Sequence, residues 1–328
     1  MRKFLIATVT GAITATASAV PAAAEIKVAL DAPPDPKLVG TYVWSKAFAD
    51  HLGKAGFKVK LYKRGALGGE AERLDQIRQG LLEISNSDVK SAGTLDTLAF
   101  GAYLPYLFKD AAHFDRALDQ ASILDRINAK TKPKGVIVLA YAHLGPPAGI
   151  FNTKRPIATV ADLKDLRMRA LDKSQIALYD AWGAKGTIVA WKEVPNALQT
   201  GVAHGYLNPV FVPVIFGHTN FIKYFTDAKL IPTTRLSIAS AKWYDGLKDR
   251  EKSAVDAAVA HATKTNRNWV NTASPEMNKL AESKGIRITQ LSPAARAEFV
   301  KASKKVYTDG VLSPAQLKIW TDAAAAAK

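Results

Sequence analysis

Short runs in which apolar and polar residues alternate recur along the first part of the chain. EIKVAL, FKVKLYK and LLEISNSDV have the two-residue period of strands. Between them, GTYVWSKAFADHLGKAG and EAERLDQIRQG carry apolar residues at helical spacing and end at glycines. This βαβαβ order predicts an open α/β fold, in which mostly parallel sheets are flanked by helices.

The carboxyl ends of such strands are the first place to look for a ligand, because open α/β sheets bind their ligands there. In this chain those ends carry Asp31, the 65–70 turn, Asn86 and Asp88. These positions are therefore the first candidates for ligand contacts.

The pattern changes near Gly145, where GPPAG follows the nearly continuous apolar run GVIVLAYAH. From Trp243 onward the spacing is mainly helical, over a stretch long enough to span two lobes, and the alanine-rich end is expected to fray or to dock weakly. A chain of 328 residues usually exceeds one compact core. The pattern predicts a first lobe of residues 25–147 and about 234–275, and a second of 148–233 and about 276–328.

The first 24 residues have the three parts of a secretory signal peptide, namely MRK, an apolar run, and PAAA. Cleavage is predicted after Ala24, with Ala19 as the earlier alternative. No later stretch approaches the about 18–20 apolar residues of a membrane span. The absence of cysteine excludes disulfides, thiolate metal sites and a lipidated N-terminal cysteine. We therefore expect an exported protein that is free in the periplasm.

The charge balance is basic, with 45 Lys and Arg against 29 Asp and Glu and a formal net charge of +16. The basic residues are dispersed, and no Lys/Arg block of the kind that binds nucleic acid stands out. We expect no nucleic-acid partner. A dispersed positive charge suits anionic small molecules or solubility.

The sequence patterns of catalysis are missing. The chain contains no H-E-x-x-H, no P-loop and no G-x-S-x-G. GALGGE lacks the Lys-Ser/Thr of a P-loop and is typical of a tight turn that opens a helix. His204 and His218 flank the predicted cleft, but none of the six histidines pairs with another at metal-ligand spacing. We expect no catalytic residue, no metal and no cofactor, and a secreted enzyme is only a remote alternative.

Two arginines stand close together in DLKDLRMRA. Arg167 and Arg169 alternate with Leu166 and Met168 in a predicted strand. Because side chains alternate across a strand, both arginines would share one face. This pattern alone leaves two interpretations open, a solvated basic edge or an arginine held for an anionic ligand.

The longer stretch from TVADLKDLRMRA to GVAHGYLNP resembles the extracytoplasmic solute-binding proteins of tripartite ATP-independent periplasmic (TRAP) transporters, of the C4-dicarboxylate-binding type. The residues that carry the resemblance are Asp162, Leu163, Lys164, Arg169, Gly183, Glu193, Ala197, Leu198, Gln199, Gly201, Gly205, Asn208 and Pro209. Upstream, GALGGEAERLDQIRQGLLEIS, YLPYLFKDAAHFDRALD and KRPIATVADLK also match family segments, so the resemblance covers nearly the whole chain after residue 24.

This resemblance implies two α/β lobes with a ligand cleft between them, and a long helix that spans both. It also implies a periplasmic receptor that closes around an organic acid and delivers it to a sodium-coupled TRAP membrane permease. A monomer is favoured. The alternative is a ligand-sensing module that presents the same shape to a signalling receptor.

The resemblance also implies site residues. The family's main carboxylate-binding arginine falls on Arg169 and its partner amide on Asn208, and a guanidinium matches a carboxylate with two parallel hydrogen bonds. Arg167 stands where the family has Lys or a polar residue, and we expect it to be exposed. Further ligand contacts are expected from Trp191, Tyr206 and Phe211 in the second lobe and from Asp31, Glu70, Asn86 and Asp88 in the first, with Phe151 and Ser91 as weaker candidates. Trp191 could instead belong to the core and Glu70 could cap its own helix, and the acidic residues would repel an anion unless it also carries hydroxyl or ammonium groups.

Departures from the family pattern bear on the ligand. Gly149 stands where some members carry a second arginine, and His204 and Leu207 replace the usual Asp and Glu of the family's VDGxEN segment. The segment is thus less charged and more apolar. We therefore expect a monocarboxylate with an apolar or aromatic body rather than a dicarboxylate or a large polyhydroxy acid.

Overall fold

The fold is described by a computed structural model that covers residues 25–327, without the side chains at 274, 275 and 309. The predicted signal peptide lies outside these residues. The strands are β1 (Ile26–Ala29), β2 (Val59–Tyr62), β3 (Ile84–Ser87), β4 (Val136–His143), β5 (Gly149–Asn152), β6 (Arg167–Ala170), β7 (Lys185–Ile188), β8 (Gly205–Asn208), β9 (Tyr224–Asp227), β10 (Thr234–Ser240) and β11 (Arg287–Gln290).

The helices surround these strands. They are α1 (Gly40–Lys54), α2 (Glu70–Gln79), α3 (Val89–Gly93), α4 (Ala111–Gln120), α5 (Ile123–Thr131), α6 (Lys173–Ala181), α7 (Val194–Thr200), α8 (Val212–Ile215), α9 (Ala241–Asp245), α10 (Asp249–Ser283), α11 (Pro293–Ser303), α12 (Lys305–Asp309) and α13 (Pro314–Ala326). Within residues 25–327, no helix is both long and apolar enough to cross a membrane.

The strands form two sheets, and the predicted α/β class is confirmed. The first sheet has the order β2-β1-β3-β10-β4 and the second the order β11-β9-β5-β8-β6-β7. Five of the nine strand pairs in the described chain are parallel. The antiparallel pairs all involve β5 or β10, the strands by which the chain enters one sheet from the other. The crossovers therefore make both sheets mixed.

The long helix α10 links elements of both sheets, as predicted, because it packs on α1 and β4 and also reaches β11 and α8. Its Asn266 is buried and donates to the carbonyl oxygens of Gly40 and His143, at 2.9 Å each. A side chain at Gly40 would place its Cβ 2.1 Å from the His143 oxygen. The absence of a side chain there lets α1 approach β4 closely.

The end of the chain docks firmly, which differs from the weak docking expected from its alanine-rich composition. Helix α13 packs against α4, and Trp320 is fully buried with its indole nitrogen donating to the Leu98 oxygen at 2.8 Å. The small side chains of Ala323 and Ala324 let the helix approach the same core. Helix α13 thus joins the core of the first sheet, whereas Phe299 of α11, in the same predicted segment 276–328, lies in the core of the second.

Candidate ligand-binding cleft

Strand β6 gives its two arginines different surroundings. The first strand residue, Arg167, is exposed as predicted, and its Nε donates to the Gly201 oxygen at 2.8 Å. Two residues later, Arg169 lies between Thr187 of β7 and Tyr206 of β8 and is only 4 % exposed. The flanking strands thus cover one arginine and leave the other in solvent.

The guanidinium of Arg169 is buried without a counter-ion. Its Nε donates to the Val189 oxygen at 2.9 Å, and its carbon lies 5.4 Å from the centre of the Trp191 ring. Within the described residues, neither Nη group makes a hydrogen bond and no carboxylate pairs with it. Burial lowers the pKa of Arg169, but an arginine remains protonated at neutral pH. A buried, uncompensated cation is costly, so this position favours an anion.

Asn208 lies on the same face of the second sheet. Register pairs Arg169 with Tyr206, and Asn208 follows Tyr206 by two residues, so the three side chains point to one side. Asn208 is 9 % exposed, and its amide makes no hydrogen bond within residues 25–327. Its two N–H donors are therefore free to bind the anion that Arg169 attracts.

An aromatic cluster supports this anion site. Trp191 packs edge-on against Tyr206 and Phe216, with ring centres 5.5 and 5.1 Å apart. Tyr206 is fully buried, and its hydroxyl lies 3.0 Å from Nδ1 of His218. Burial lowers the pKa of His218 to about 4, so its imidazole is neutral at pH 7. Half-buried Trp191 faces the cleft, whereas Tyr206 braces it from beneath.

The other predicted aromatic contacts lie in the core. Phe211 is fully buried, and a side chain at Gly145 would meet its ring at 2.4 Å. Phe151 is also fully buried and packs on Phe225, with ring centres 4.6 Å apart. Both rings are enclosed by protein, so the structure places them behind the site and does not support their predicted role as ligand walls.

The first sheet contributes an ion-pair network that faces Arg169. Nε of Arg235 lies 3.4 Å from Asp31, and its Nη1 lies 3.2 Å from Asp88. Thr41 donates to Asp31 at 2.8 Å, and the Tyr103 hydroxyl lies 3.3 Å from Asp88. Burial opposes the charge on Arg235, but these carboxylates outweigh it and raise its pKa. The predicted positions Asp31 and Asp88 are therefore already paired with a cation.

Glu70 adjoins this network at the start of α2. One carboxylate oxygen accepts from the backbone of Asp88 at 2.6 Å, and the other from Arg73 at 3.0 Å. Desolvation raises the pKa of Glu70 despite the opposing effect of Arg73. Ser91 donates to the Asp88 backbone oxygen at 2.6 Å. Glu70 and Ser91 thus fasten Asp88 in place.

The structure does not bring Asn86 to the cleft. It is fully buried, and its amide nitrogen donates to Ser45 at 2.6 Å and to the Thr41 oxygen at 3.2 Å. Its amide oxygen accepts from Ser237 at 3.0 Å. Every group of this amide is used to join β3 to α1 and β10, which corrects the predicted ligand contact.

Sequence reasoning missed three charged residues of the cleft. Arg235 left a detectable signal, since it is the single charge in the otherwise apolar or hydroxylated run TTRLSIAS. Asp172 caps α6, accepting from the backbone of Ser174 at 2.9 Å, and burial raises its pKa. Arg64 lies in the β2–α2 loop with its guanidinium carbon 5.2 Å from the Phe216 ring centre. Neither of these two has a sequence pattern that sets it apart from surface charges.

A small apolar cavity of about 40 Å³ lies beside the cleft. Tyr103, which contacts Asp88, lines it together with Gln175, Leu178 and Leu207. This volume is enough for a water molecule or a small apolar group. In residues 25–327, no cluster of His, Asp and Glu has the arrangement of a metal site.

Comparison with known proteins places this cleft in context. The sequence model of the bacterial extracellular solute-binding proteins, family 7, matches residues 30–312. The C4-dicarboxylate-binding periplasmic protein of Rhodobacter capsulatus is 26 % identical over 95 % of this chain and 92 % of its own. The ectoine/5-hydroxyectoine-binding periplasmic protein of Ruegeria pomeroyi is 27 % identical over 80 % and 79 % of the two chains.

Solved structures share the fold. A TRAP solute-binding protein of Shewanella oneidensis with bound succinate superposes with a TM-score of 0.84, covering 93 % of this chain and 99 % of its own at 19 % identity. One from Roseobacter denitrificans with bound β-D-glucuronate gives 0.82, with 93 % and 100 % coverage at 23 % identity. At these identities the likeness shows a shared fold.

Proposed function

Because the chain belongs to family 7 of the bacterial extracellular solute-binding proteins, we propose that it is a periplasmic receptor that captures an organic acid and delivers it to a sodium-coupled TRAP permease. Members of this family are binding proteins and not enzymes, which confirms the prediction that the chain is not an enzyme. Export through a cleaved signal peptide and a monomeric state belong to the same proposal.

One observation carries the proposed mode of binding, the buried and unpaired guanidinium of Arg169. An organic carboxylate would accept two parallel hydrogen bonds from its Nη groups and a third from the Asn208 amide. The anion would neutralise a charge that the fold leaves without a partner. Binding would therefore be favoured because the anion removes the electrostatic cost of a buried guanidinium without a counter-ion.

The rest of the cleft supports the ligand class expected from the sequence, a monocarboxylate with an apolar or aromatic body. Trp191 and Phe216 are half-buried and offer aromatic surface next to Arg169. On the opposite side, Arg235 is already neutralised by Asp31 and Asp88. A second carboxylate would find Arg235 already paired, and Arg64, which lies on the Phe216 ring, would be the one cation of the cleft on that side without an ion pair in the described residues.

A second candidate class is an acid that also carries hydroxyl or ammonium groups. The carboxylates of Asp31 and Asp88 could accept hydrogen bonds from such donors. The Ruegeria relative named for ectoine and the Roseobacter protein with bound glucuronate fit this class. Matched acids with and without these donors distinguish the two candidates.

The test is a thermal-shift and calorimetric panel on protein unfolded and refolded to remove copurified ligand. Phenylacetate represents the first class, ectoine and D-glucuronate the second, and succinate the dicarboxylates. Ligand at 100 times its dissociation constant should add about 2.7 kcal/mol to the free energy of unfolding. If no carboxylate in such a panel raises the melting temperature, the receptor proposal fails.

Arg169→Ala should weaken binding of the best acid about 30-fold to several thousand-fold, because it removes one side of a buried charged pair. Arg167→Ala is the matched control, because it removes the same charge at an exposed position two residues before Arg169. Affinity should be unchanged in this control. Equal affinities of both variants would reject Arg169 as the anchor.

A signalling role is distinguished by reconstitution. Purified permease subunits in vesicles should take up the bound acid only when this protein and a sodium gradient are present. Sodium-independent uptake would contradict the sodium coupling, and no uptake of an acid that the protein binds would favour the alternative of a sensory module.

A further inference from the structure

A cation–π contact joins a loop of the first sheet to a segment beside the second sheet. Arg64 lies in the loop between β2 and α2 of the first sheet, and Phe216 follows α8 beside the second. The guanidinium carbon is 5.2 Å from the ring centre, within the range of a cation–π contact. The two residues therefore meet across the cleft, one from each side.

Arg64 has no competing partner in the described chain. It forms no hydrogen bond and no ion pair with residues 25–327, and the Phe216 ring is its one aromatic contact there. Desolvation lowers its pKa, as expected for a guanidinium that lies against protein. The residue is otherwise exposed to solvent, and the Phe216 ring is the contact that joins it to the other side of the cleft.

The contact is continuous with the anion site. Phe216 packs edge-on against Trp191, with ring centres 5.1 Å apart. The guanidinium carbon of Arg169 lies 5.4 Å from the centre of the same Trp191 ring. A first-sheet cation thereby rests on the same aromatic pair as the second-sheet anchor. Movement of the sheets apart would break the Arg64 contact while leaving the Arg169 contact intact, because both partners of the latter belong to the second sheet.

We propose that Arg64 and Phe216 form a latch that holds the cleft closed and slows release of the bound acid. This inference deepens the proposed receptor function and rests on it for the ligand, but the closing contact itself can be tested without one. The latch adds a positioning role for Arg64, which binds no ligand atom in this proposal.

The experiment measures the distance between the two sides of the cleft by double electron–electron resonance. The chain has no cysteine, so Lys54→Cys at the end of α1 and Lys185→Cys on β7 give two unique spin-label sites. Both positions are exposed and outside the cleft. Distances are recorded in buffer and with phenylacetate, succinate, D-glucuronate and ectoine added.

Arg64→Ala should lower the ratio of closed to open protein about two- to fivefold, the range of a solvent-accessible cation–π contact. Phe216→Leu should do the same, and the double variant should match the single ones because either change removes the whole latch. Lys63→Ala, which deletes the neighbouring exposed charge, should leave the distances unchanged.

Identical distance distributions for wild type and Arg64→Ala in buffer and in all four acids would overturn the latch, as would an equal effect of Lys63→Ala. For any acid of the panel that binds, the dissociation rate should rise two- to fivefold in Arg64→Ala with little change in the association rate. If none binds the wild type, the receptor proposal fails, while the ligand-free distances still decide whether the latch exists.

Discussion

Arg167 and Arg169 have the same side chain and lie two residues apart, and their surroundings are the reason why only Arg169 is proposed as a binding group. Arg167 is solvated and satisfied by the Gly201 oxygen. Arg169 is covered by the neighbouring strands and keeps its Nη groups unpaired within the described residues. At this scale, the proposed binding capacity comes from a donor group that the fold covers on most sides and leaves without a protein partner.

Asn208 is predicted to donate to the same carboxylate as Arg169. Asn208→Ala should weaken binding of the best acid about tenfold to hundredfold, the range for a hydrogen bond to a charged group. Asn208→Asp should weaken it further, because it places a second negative charge next to the bound one. Isothermal calorimetry on both variants checks this order, and an aspartate variant that binds as well as wild type would contradict it.

His218 is predicted to make stability depend on pH. Its pKa is about 4 in the folded protein, lowered by burial from an ordinary value of 6.5. Between these values the unfolded chain binds more protons, so this stability is complete above pH 6.5 and is lost as the pH falls towards 4. The free energy of unfolding should drop by about 1–3 kcal/mol over this window on account of His218.

The measurement compares urea unfolding of wild type and His218→Gln at several pH values between 4 and 7.5. The variant should lose less stability on acidification, whereas His261→Gln, which alters an exposed histidine, should follow the wild type. Parallel curves for wild type and His218→Gln would show that the imidazole is not held neutral by the fold.

At the residue scale, the family motif named Arg169 and Asn208 as partners, and the structure places them on neighbouring parallel strands, where Arg169 pairs with Tyr206 and Asn208 follows by two residues. Their shared contact with a ligand stays a prediction. Asn86 and Phe211 could not be assigned in the same way. A strand pattern predicts that side chains alternate between two faces, but it does not indicate which face lines the cleft. Arg235 was missed for a related reason, since its importance depends on Asp31 and Asp88, which are far away in the sequence.

At the element scale, strands and helices followed the apolar pattern, whereas strand direction did not. The βαβ rhythm of the first hundred residues correctly indicated parallel pairing of β1 with β2 and β3. It carries no information on β5 and β10, which arrive from the other sheet and pair antiparallel. Such long-range order depends on the crossovers between the sheets rather than on local periodicity.

Asn266 is predicted to be the residue that fastens α10 to the first sheet. Its amide accepts from the His143 backbone at 2.7 Å and donates to two carbonyl oxygens. Asn266→Ala should lower the free energy of unfolding by about 2–4 kcal/mol, because it leaves buried backbone groups unpaired. Asn268→Ala, an exposed change two residues away, should stay within about 0.5 kcal/mol of wild type in urea unfolding. A similar loss in both variants would assign the effect to helix propensity instead.

At the scale of the whole molecule, a net charge of +16 accompanies a site that is proposed to bind an anion. Dispersed positive charge raises the local concentration of an anionic ligand and speeds its encounter with the protein. The contacts inside the cleft are shielded from salt ions, because Arg169 and Asn208 are buried. The net charge of the protein should therefore affect the association rate constant, and the buried contacts of the site the dissociation rate constant.

This separation predicts that salt slows association and leaves dissociation nearly unchanged. Between about 20 mM and 500 mM NaCl, where the Debye length falls from roughly 20 Å to about 4 Å, the association rate constant of a monocarboxylate should decrease at least threefold. Trp191, in contact with the anchor guanidinium, supplies a stopped-flow fluorescence signal, and Trp191→Phe identifies the part of the signal that comes from it. A dissociation rate that rises with salt as much as the association rate falls would mean that the bound carboxylate is solvated, and the buried Arg169 anchor would then have to be abandoned.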